Sequence, residues 1–151
     1  MSASLEEEFR LSYGARGVYG APATPAEVDG LESEIGLRLP AAYRGFLLQA
    51  GNYPPHALVG SDCSIANVPK LRGYLEEVLR NDGVSFELPA DAVVFLSHQG
   101  YIYFYFQCDN QSDDPPVWRY YEGKHVPVRV AERFSWWVKS LEPAPEFRNA
   151  R

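Results

Sequence analysis

The sequence predicts an α+β domain in which an antiparallel β-sheet of about four or more strands is flanked by helices. Apolar residues recur at helical spacing between residues 24 and 82, strand-like runs follow between residues 91 and 130, and one more helical pattern comes after them. Helices, then strands, then a helix indicate neighbouring strands that pair antiparallel. A chain of 151 residues fits a single domain over 1–151, with a core over about 24–141.

Two capping boxes mark helix starts in the first part of the chain. Ser4 and Glu7 predict a short helix over about residues 5–13. Thr24 followed by Pro25 and Glu27 predicts a second helix, because the threonine hydroxyl can accept an early amide proton and proline suits the first helical position. Its inward face is expected to carry Val28, Leu31 and Ile35, with Gly36 as the cap.

Two further helices are expected before the strands. Pro40 can start one that ends at Gly51, with the apolar side chains Tyr43, Phe46, Leu47 and Ala50 on one side. The other starts at Pro69 and carries an apolar stripe of Leu71, Tyr74, Leu75, Val78 and Leu79. Between them the pattern is irregular, with one short strand predicted near residues 58–59.

β-branched and aromatic runs predict four strands, over Val93–Leu96, Tyr101–Phe106, Val117–Tyr121 and His125–Val130. Pro127 places the last of them at an edge or a bulge, since proline cannot donate to a ladder. A final helix is predicted from about Glu132 to Leu141, followed by a loosely held tail. Its two tryptophans cannot both face inward, so Trp136 is expected to be exposed.

The second strand alternates strictly between tyrosine and aliphatic or phenylalanine side chains. Tyr101, Tyr103 and Tyr105 share one face, and Ile102, Phe104 and Phe106 share the other, because successive strand side chains point to opposite faces. The phenylalanine face is expected to be core. The tyrosine face is expected to be partly exposed, with a covering helix as the open alternative.

Charge and composition narrow the classes of function. The net charge is −6, and no Lys or Arg lies between Arg80 and Arg119, which argues against direct binding to nucleic acid. No run approaches the roughly 20 apolar residues of a membrane span, and no signal-peptide pattern opens the chain, so a cytoplasmic protein is expected. Two cysteines without CxxC spacing indicate reduced thiols, with a single Cys63–Cys108 bridge as the alternative.

The order of these segments resembles the SUKH superfamily, specifically the branch of the fungal Smi/Knr cell-wall regulators. The resemblance lies in the block LESEIGLRLPAAYRGFL at residues 31–47, in the aromatic strand with its polar loop and Pro115-Pro116-Val117-Trp118, and in the final Phe134-Ser135-x-x-Val138 helix. It covers about residues 24–141. The chain departs from the family in the inverted pair Gly51-Asn52 and in the displaced acid Asp109.

The resemblance implies binding and not catalysis. Bacterial members are chiefly immunity proteins that neutralise a cognate polymorphic toxin, often a nuclease, and the fungal relatives are regulators of cell-wall synthesis. We therefore expect an immunity-type protein that blocks the active site of a toxin, with an intracellular regulator or scaffold as the alternative and an enzyme as the less favoured one. No catalytic motif, cofactor motif or metal-ligand spacing stands out, and the oligomeric state is left open.

The loop 107–116 is the candidate contact surface, because it follows an aromatic strand and carries three carboxylates without a basic residue. Carboxylates can occupy a basic cleft that normally grips phosphate, and exposed aromatic side chains can anchor such a contact. An ordinary polar hairpin loop is the alternative. The predicted partner-binding residues are Asp109, Asp113, Asp114, Glu122, Tyr103, Tyr105 and Trp118.

Overall fold

A computed structural model describes residues 21–53, 58, 60–109 and 112–141 of the chain. Four helices and five strands lie in this part, which confirms the α+β prediction. The helix predicted over residues 5–13 and the tail beyond residue 141 lie outside it. The elements are α1 (Pro25–Ile35), α2 (Ala41–Ala50), β1 (Ser61–Asp62), α3 (Val68–Asp82), β2 (Ala92–His98), β3 (Ile102–Gln107), β4 (Val117–Tyr121), β5 (Val128–Ala131) and α4 (Phe134–Lys139).

The caps of the first helices are those the sequence predicts. The Thr24 side chain accepts from the amide of Glu27 at 3.1 Å, and the Glu27 carboxylate accepts from the amide of Thr24 at 2.9 Å. Gly36 ends α1 with φ of 73°, a left-handed conformation that favours glycine. Pro40 precedes α2, whose buried side includes Tyr43, Phe46 and Leu47.

The five strands form one antiparallel sheet in the order β1-β2-β3-β4-β5. The short strand predicted near residues 58–59 falls partly outside the described residues, and the strand that pairs with β2 is Ser61–Asp62. The fourth predicted strand is shorter than expected and begins after Pro127. Its edge position is confirmed, since β5 pairs with β4 alone among the described strands.

Helices cover both faces of the sheet. On the face with Phe104 and Phe106, α2 and α4 pack through aromatic contacts, including Tyr43 with Phe106 at 5.0 Å and Trp137 with Phe104 at 5.3 Å between ring centroids. On the tyrosine face, α3 packs against β2 and places Tyr74 and Glu77 near Tyr103, and Tyr103 and Tyr105 are each only 3% exposed. The expectation of a partly exposed tyrosine face is therefore wrong, and the covering helix is the alternative that holds.

Two exposed aromatic side chains refine the helix predictions. Trp136 is 51% exposed while Trp137 is buried, as predicted for α4. Tyr74 was placed on the inward stripe of α3, but it is 50% exposed, because the buried positions of that helix are Val68, Leu71, Leu75 and Leu79. None of the helices in the described residues combines the length and apolar character that a membrane crossing requires.

Candidate functional site

The end of the loop before β4 is pinned to two helices. The carbonyl of Asp113 accepts from the amide of Ala42 at 2.9 Å, at the start of α2. The carboxylate of Asp114 accepts from the amide of Ser135 at 2.8 Å and from its hydroxyl at 2.5 Å, in the first turn of α4. Asp114 therefore holds structure in place, whereas the exposed side chain of Asp113 projects from a fixed backbone.

Carboxylates from separate segments gather at this end of the sheet. The antiparallel register places Ala92 opposite Gln107, and the amide of Cys108 donates to the carbonyl of Asp91 at 2.8 Å. Burial raises the pKa of the Cys108 thiol to about 12, and Asp91, Asp109 and Glu32 add to the rise because their negative charges lie near it. We call Glu32, Asp91, Asp109 and Asp113 the acidic end.

Glu32 is the most constrained member of the acidic end. Its carboxylate accepts from the amide of Leu39 at 2.7 Å and pairs with Arg44 at 2.8 Å. Arg44 also pairs with Asp29 at 3.1 Å. These bonds connect α1 to the Leu39-Pro40 segment and to α2. They give a physical role to three parts of the block at residues 31–47: the glutamate in α1, the Leu-Pro pair and the helix with the Tyr-x-x-Phe pattern.

Asp91 is a member of the acidic end that the predicted set of contact residues does not contain. It lies in the stretch without Lys or Arg, but its position beside Cys108 depends on how β2 pairs with β3. Its carboxylate also accepts from the side-chain amide of Gln107 at 3.1 Å. The run of acids in the sequence was the available signal, and only the register shows which of them converge.

Glu122 is one of the predicted contact residues, but the structure places it away from the loop 107–116. Its amide donates to the carbonyl of Tyr101 at 2.9 Å, beside the β2–β3 turn. Asp113 and Asp114 precede β4 and Glu122 follows it, so a strand of five residues separates them. At roughly 3.4 Å per residue, that separation is about 17 Å. Glu122 therefore belongs to the opposite end of the sheet.

The predicted aromatic contact residues fall into a buried group and a partly accessible one. Tyr103 and Tyr105 are core residues, so their side chains do not reach the surface. Trp118 is partly buried, stacks on Tyr105 at 6.5 Å between centroids, and lies under the guanidinium of Arg129 at 5.1 Å. It follows the acidic loop by two residues, which makes it the one predicted aromatic residue that is both partly accessible and near the acidic end.

The remaining candidate groups that the structure describes do not gather into a reactive site. Cys63 and Cys108 are free and buried, which confirms the prediction of unpaired thiols. The Oγ of Ser61 lies 3.0 Å from Nδ1 of His98, next to the β2–β3 turn. In the part of the chain that the structure describes, no three His, Cys, Asp or Glu side chains converge to hold a metal ion.

Comparison with known proteins agrees with this arrangement. A model of the SMI1 / KNR4 family (SUKH-1) matches residues 22–140, which includes every helix and strand described above. No curated protein matches the chain at a significant level. The matched region is most of the chain and contains the Glu32–Leu39 tie and the pinned loop. The chain belongs to the SMI1 / KNR4 family (SUKH-1).

Proposed function

We propose that the protein is an immunity-type binding protein that neutralises a cognate toxin, a nuclease in the favoured case, by occluding its active site. Membership in the family supports a toxin-immunity or Smi1/Knr4-type role in general. The observation that carries the finer proposal is the fixed presentation of carboxylates at the acidic end, above all the exposed side chain of Asp113 on a backbone held by α2 and α4.

A fixed acidic surface suits the active site of a nuclease. Such a site is basic or metal-loaded because it must grip phosphate, so carboxylates can take the place of the substrate. Opposite charges raise the association rate and select the partner. Because the backbone of Asp113 is already ordered, binding loses less conformational entropy than it would with a flexible loop.

Charge alone does not give high affinity, which in protein interfaces comes from a few desolvated anchors. Trp118 fits that role, since tryptophan is enriched among such anchors and this one lies two residues after the acidic loop. Its ring is already held between Tyr105 and Arg129, so little side-chain freedom is lost on binding. The proposed contact set is therefore Asp109, Asp113 and Trp118.

The first test is a rescue assay. Cells that express a toxin encoded beside this gene should survive when this protein is co-expressed, and the two purified proteins should form a complex. Failure of both would sink the immunity proposal. A stable complex with an endogenous protein in place of a toxin would favour the Smi/Knr-like regulatory role.

The second test locates the surface. The D109N/D113N variant should slow association with the toxin, and the slowing should shrink between low salt and about 0.15 M salt, where the Debye length falls to about 8 Å. E122Q is the matched control, because it removes an exposed carboxylate at the opposite end of the sheet. Equal rates for the wild type and D109N/D113N would place the contact elsewhere. Asp114 is left intact because it holds α4.

A further inference from the structure

Strand β5 offers an open edge to another chain. It is the last strand in the sheet order and pairs with β4 on one side only among the described strands. In an antiparallel ladder, alternate residues bond to the same neighbour, so about half of the N–H and C=O groups of β5 point away from β4. Edges of this kind accept an extended segment as an added strand.

At this edge of the sheet, one face carries an exposed valine beside an arginine, and the other face carries an arginine. Val128 is 46% exposed, and the preceding Val126 is 60% exposed. Val128 lies opposite Arg119, on the same face as Phe104, while Arg129 lies opposite Trp118 on the other face. A strand added to β5 would therefore meet a valine on one face and an ordered arginine on the other.

Arg119 is a cation without an evident anion. Its Nε atom is buried and makes no hydrogen bond, and it joins no ion pair among the residues that the structure describes. Because its Nε atom is buried, Arg119 contributes to this surface through its positive charge next to Val128 and not through a bond to a ligand.

Helix α4 extends the same surface. It starts three residues after β5 ends, and it carries Arg133 just before it and Trp136 on its outward side. The Arg133 guanidinium lies 5.0 Å above the Trp136 ring, as Arg129 lies above Trp118. Tryptophan and arginine are the side chains most enriched at the energetic centres of protein interfaces.

The charge here is opposite to that of the rest of the chain. Residues 119–139 contain five basic and two acidic residues, a net charge of +3, in a protein whose net charge is −6. The stretch just before this segment, residues 81–118, contains six acidic residues and no Lys or Arg. A surface that combines a free strand edge, exposed valines and a positive charge fits an extended acidic segment.

We propose that β5 and the outward side of α4 bind an extended acidic segment of a protein partner, which adds as a sixth strand along β5. The carboxylates of this segment pair with Arg129, in place of the exposed Glu132 that lies 3.0 Å from it, and with Arg133 beyond the end of β5. Its alternate apolar side chains cover Val128 on the opposite face. The Arg129 side of this surface adjoins Trp118, but the proposal is tested with a peptide and without a toxin, so its outcome does not depend on the immunity function.

The probe is a short synthetic peptide of alternating Val and Glu, titrated into the isotope-labelled full chain and followed by amide NMR. Binding should shift the amide signals of Val128–Ala131 and slow hydrogen exchange of the outward N–H groups of β5. A peptide with Lys in place of every Glu should not bind. A Glu-containing peptide interrupted by proline should not bind either, because it cannot form a strand.

The variant R129E/R133E should weaken binding of the acidic peptide about tenfold. R38E is the matched control, since Arg38 is exposed in the connection between α1 and α2, away from β5. The proposal is overturned if the shifts fall outside β5 and α4, or if the proline-interrupted peptide or a short oligothymidylate binds as well as the strand-forming peptide. It is also overturned if sedimentation shows that the protein is a dimer and the peptide acts only by competing with that dimer, because the natural occupant of the β5 edge is then a second copy of the chain.

Discussion

Replacing Asp114 by alanine should destabilise the whole domain, although the residue lies in a surface loop. In the native protein its carboxylate accepts two hydrogen bonds from Ser135, one from the amide and one from the hydroxyl. Ser135 lies in the first turn of α4, next to Phe134, whose ring packs on Phe95 at 5.3 Å and on Tyr43 at 5.6 Å. Loss of the carboxylate therefore frees a helix that closes the aromatic core.

The magnitude follows from the two bonds. A hydrogen bond to a charged group contributes about 1.5–3 kcal/mol, and loss of a helix cap costs about 1 kcal/mol. Because Asp114 is only partly buried, we take the lower end and expect D114A to cost about 2 kcal/mol. For a domain of this size that lowers Tm by about 4–8 °C.

Urea unfolding followed by tryptophan fluorescence would measure the free energy. D113A is the matched control and should change stability by less than about 0.5 kcal/mol, because it removes an exposed side chain and keeps the Asp113 carbonyl bond to Ala42. S135A removes only the hydroxyl bond, and its cost should nearly vanish in the D114A background. Equal effects of D113A and D114A, or additive effects of D114A and S135A, would refute the reasoning.

Two further predictions concern titratable groups. Hydrogen bonds from the amide of Gly123 and the hydroxyl of Tyr120 hold the pKa of Asp82 below its ordinary value of 3.8. The ionised Asp82 side chain therefore stabilises the fold at pH values above 3.8, and this stabilisation is lost as the pH falls through the lower pKa of the folded state. Unfolding measured between about pH 5 and pH 2 should show D82N and the wild type converging in acid, and a constant difference would contradict the tie between α3 and the β4–β5 turn. Burial raises the pKa of both Cys63 and Cys108 to about 12, so the folded protein should not react with a thiol reagent at about pH 8. The urea-unfolded chain should react with two equivalents of the reagent, one for each cysteine. Fast reaction of the folded chain would show that a thiol is accessible.

Local patterns along the chain predicted the described helices and the cap of α1, because those signals act within a few residues. Thr24 and Glu27 are three residues apart, and the bond that each makes depends only on that spacing. The edge position of β5 was predictable for a similar reason, since Pro127 removes a donor wherever the strand lies. The site was harder, because its members come from distant segments.

The tyrosine face shows what a local sequence pattern cannot predict. Alternation along Tyr101–Phe106 separates the two faces of a strand, but it does not say what covers either face, and α3 lies some twenty residues or more before β3 in the chain. The different roles of Asp113 and Asp114 could not be predicted either, although the two residues are neighbours in the sequence. One projects outward, and the other binds Ser135, a residue brought near only after β4 and β5 have paired.

The α+β class, the cap of α1, the aromatic central strand and the family could be predicted from the sequence, because each depends on spacing along the chain. The burial of Tyr103 and Tyr105, the position of Glu122 at the opposite end of the sheet from Asp113, and the place of Asp91 in the acidic end depend on the tertiary structure. Strand register and helix docking bring together residues that lie far apart in the chain, and the acidic end is formed only by that assembly.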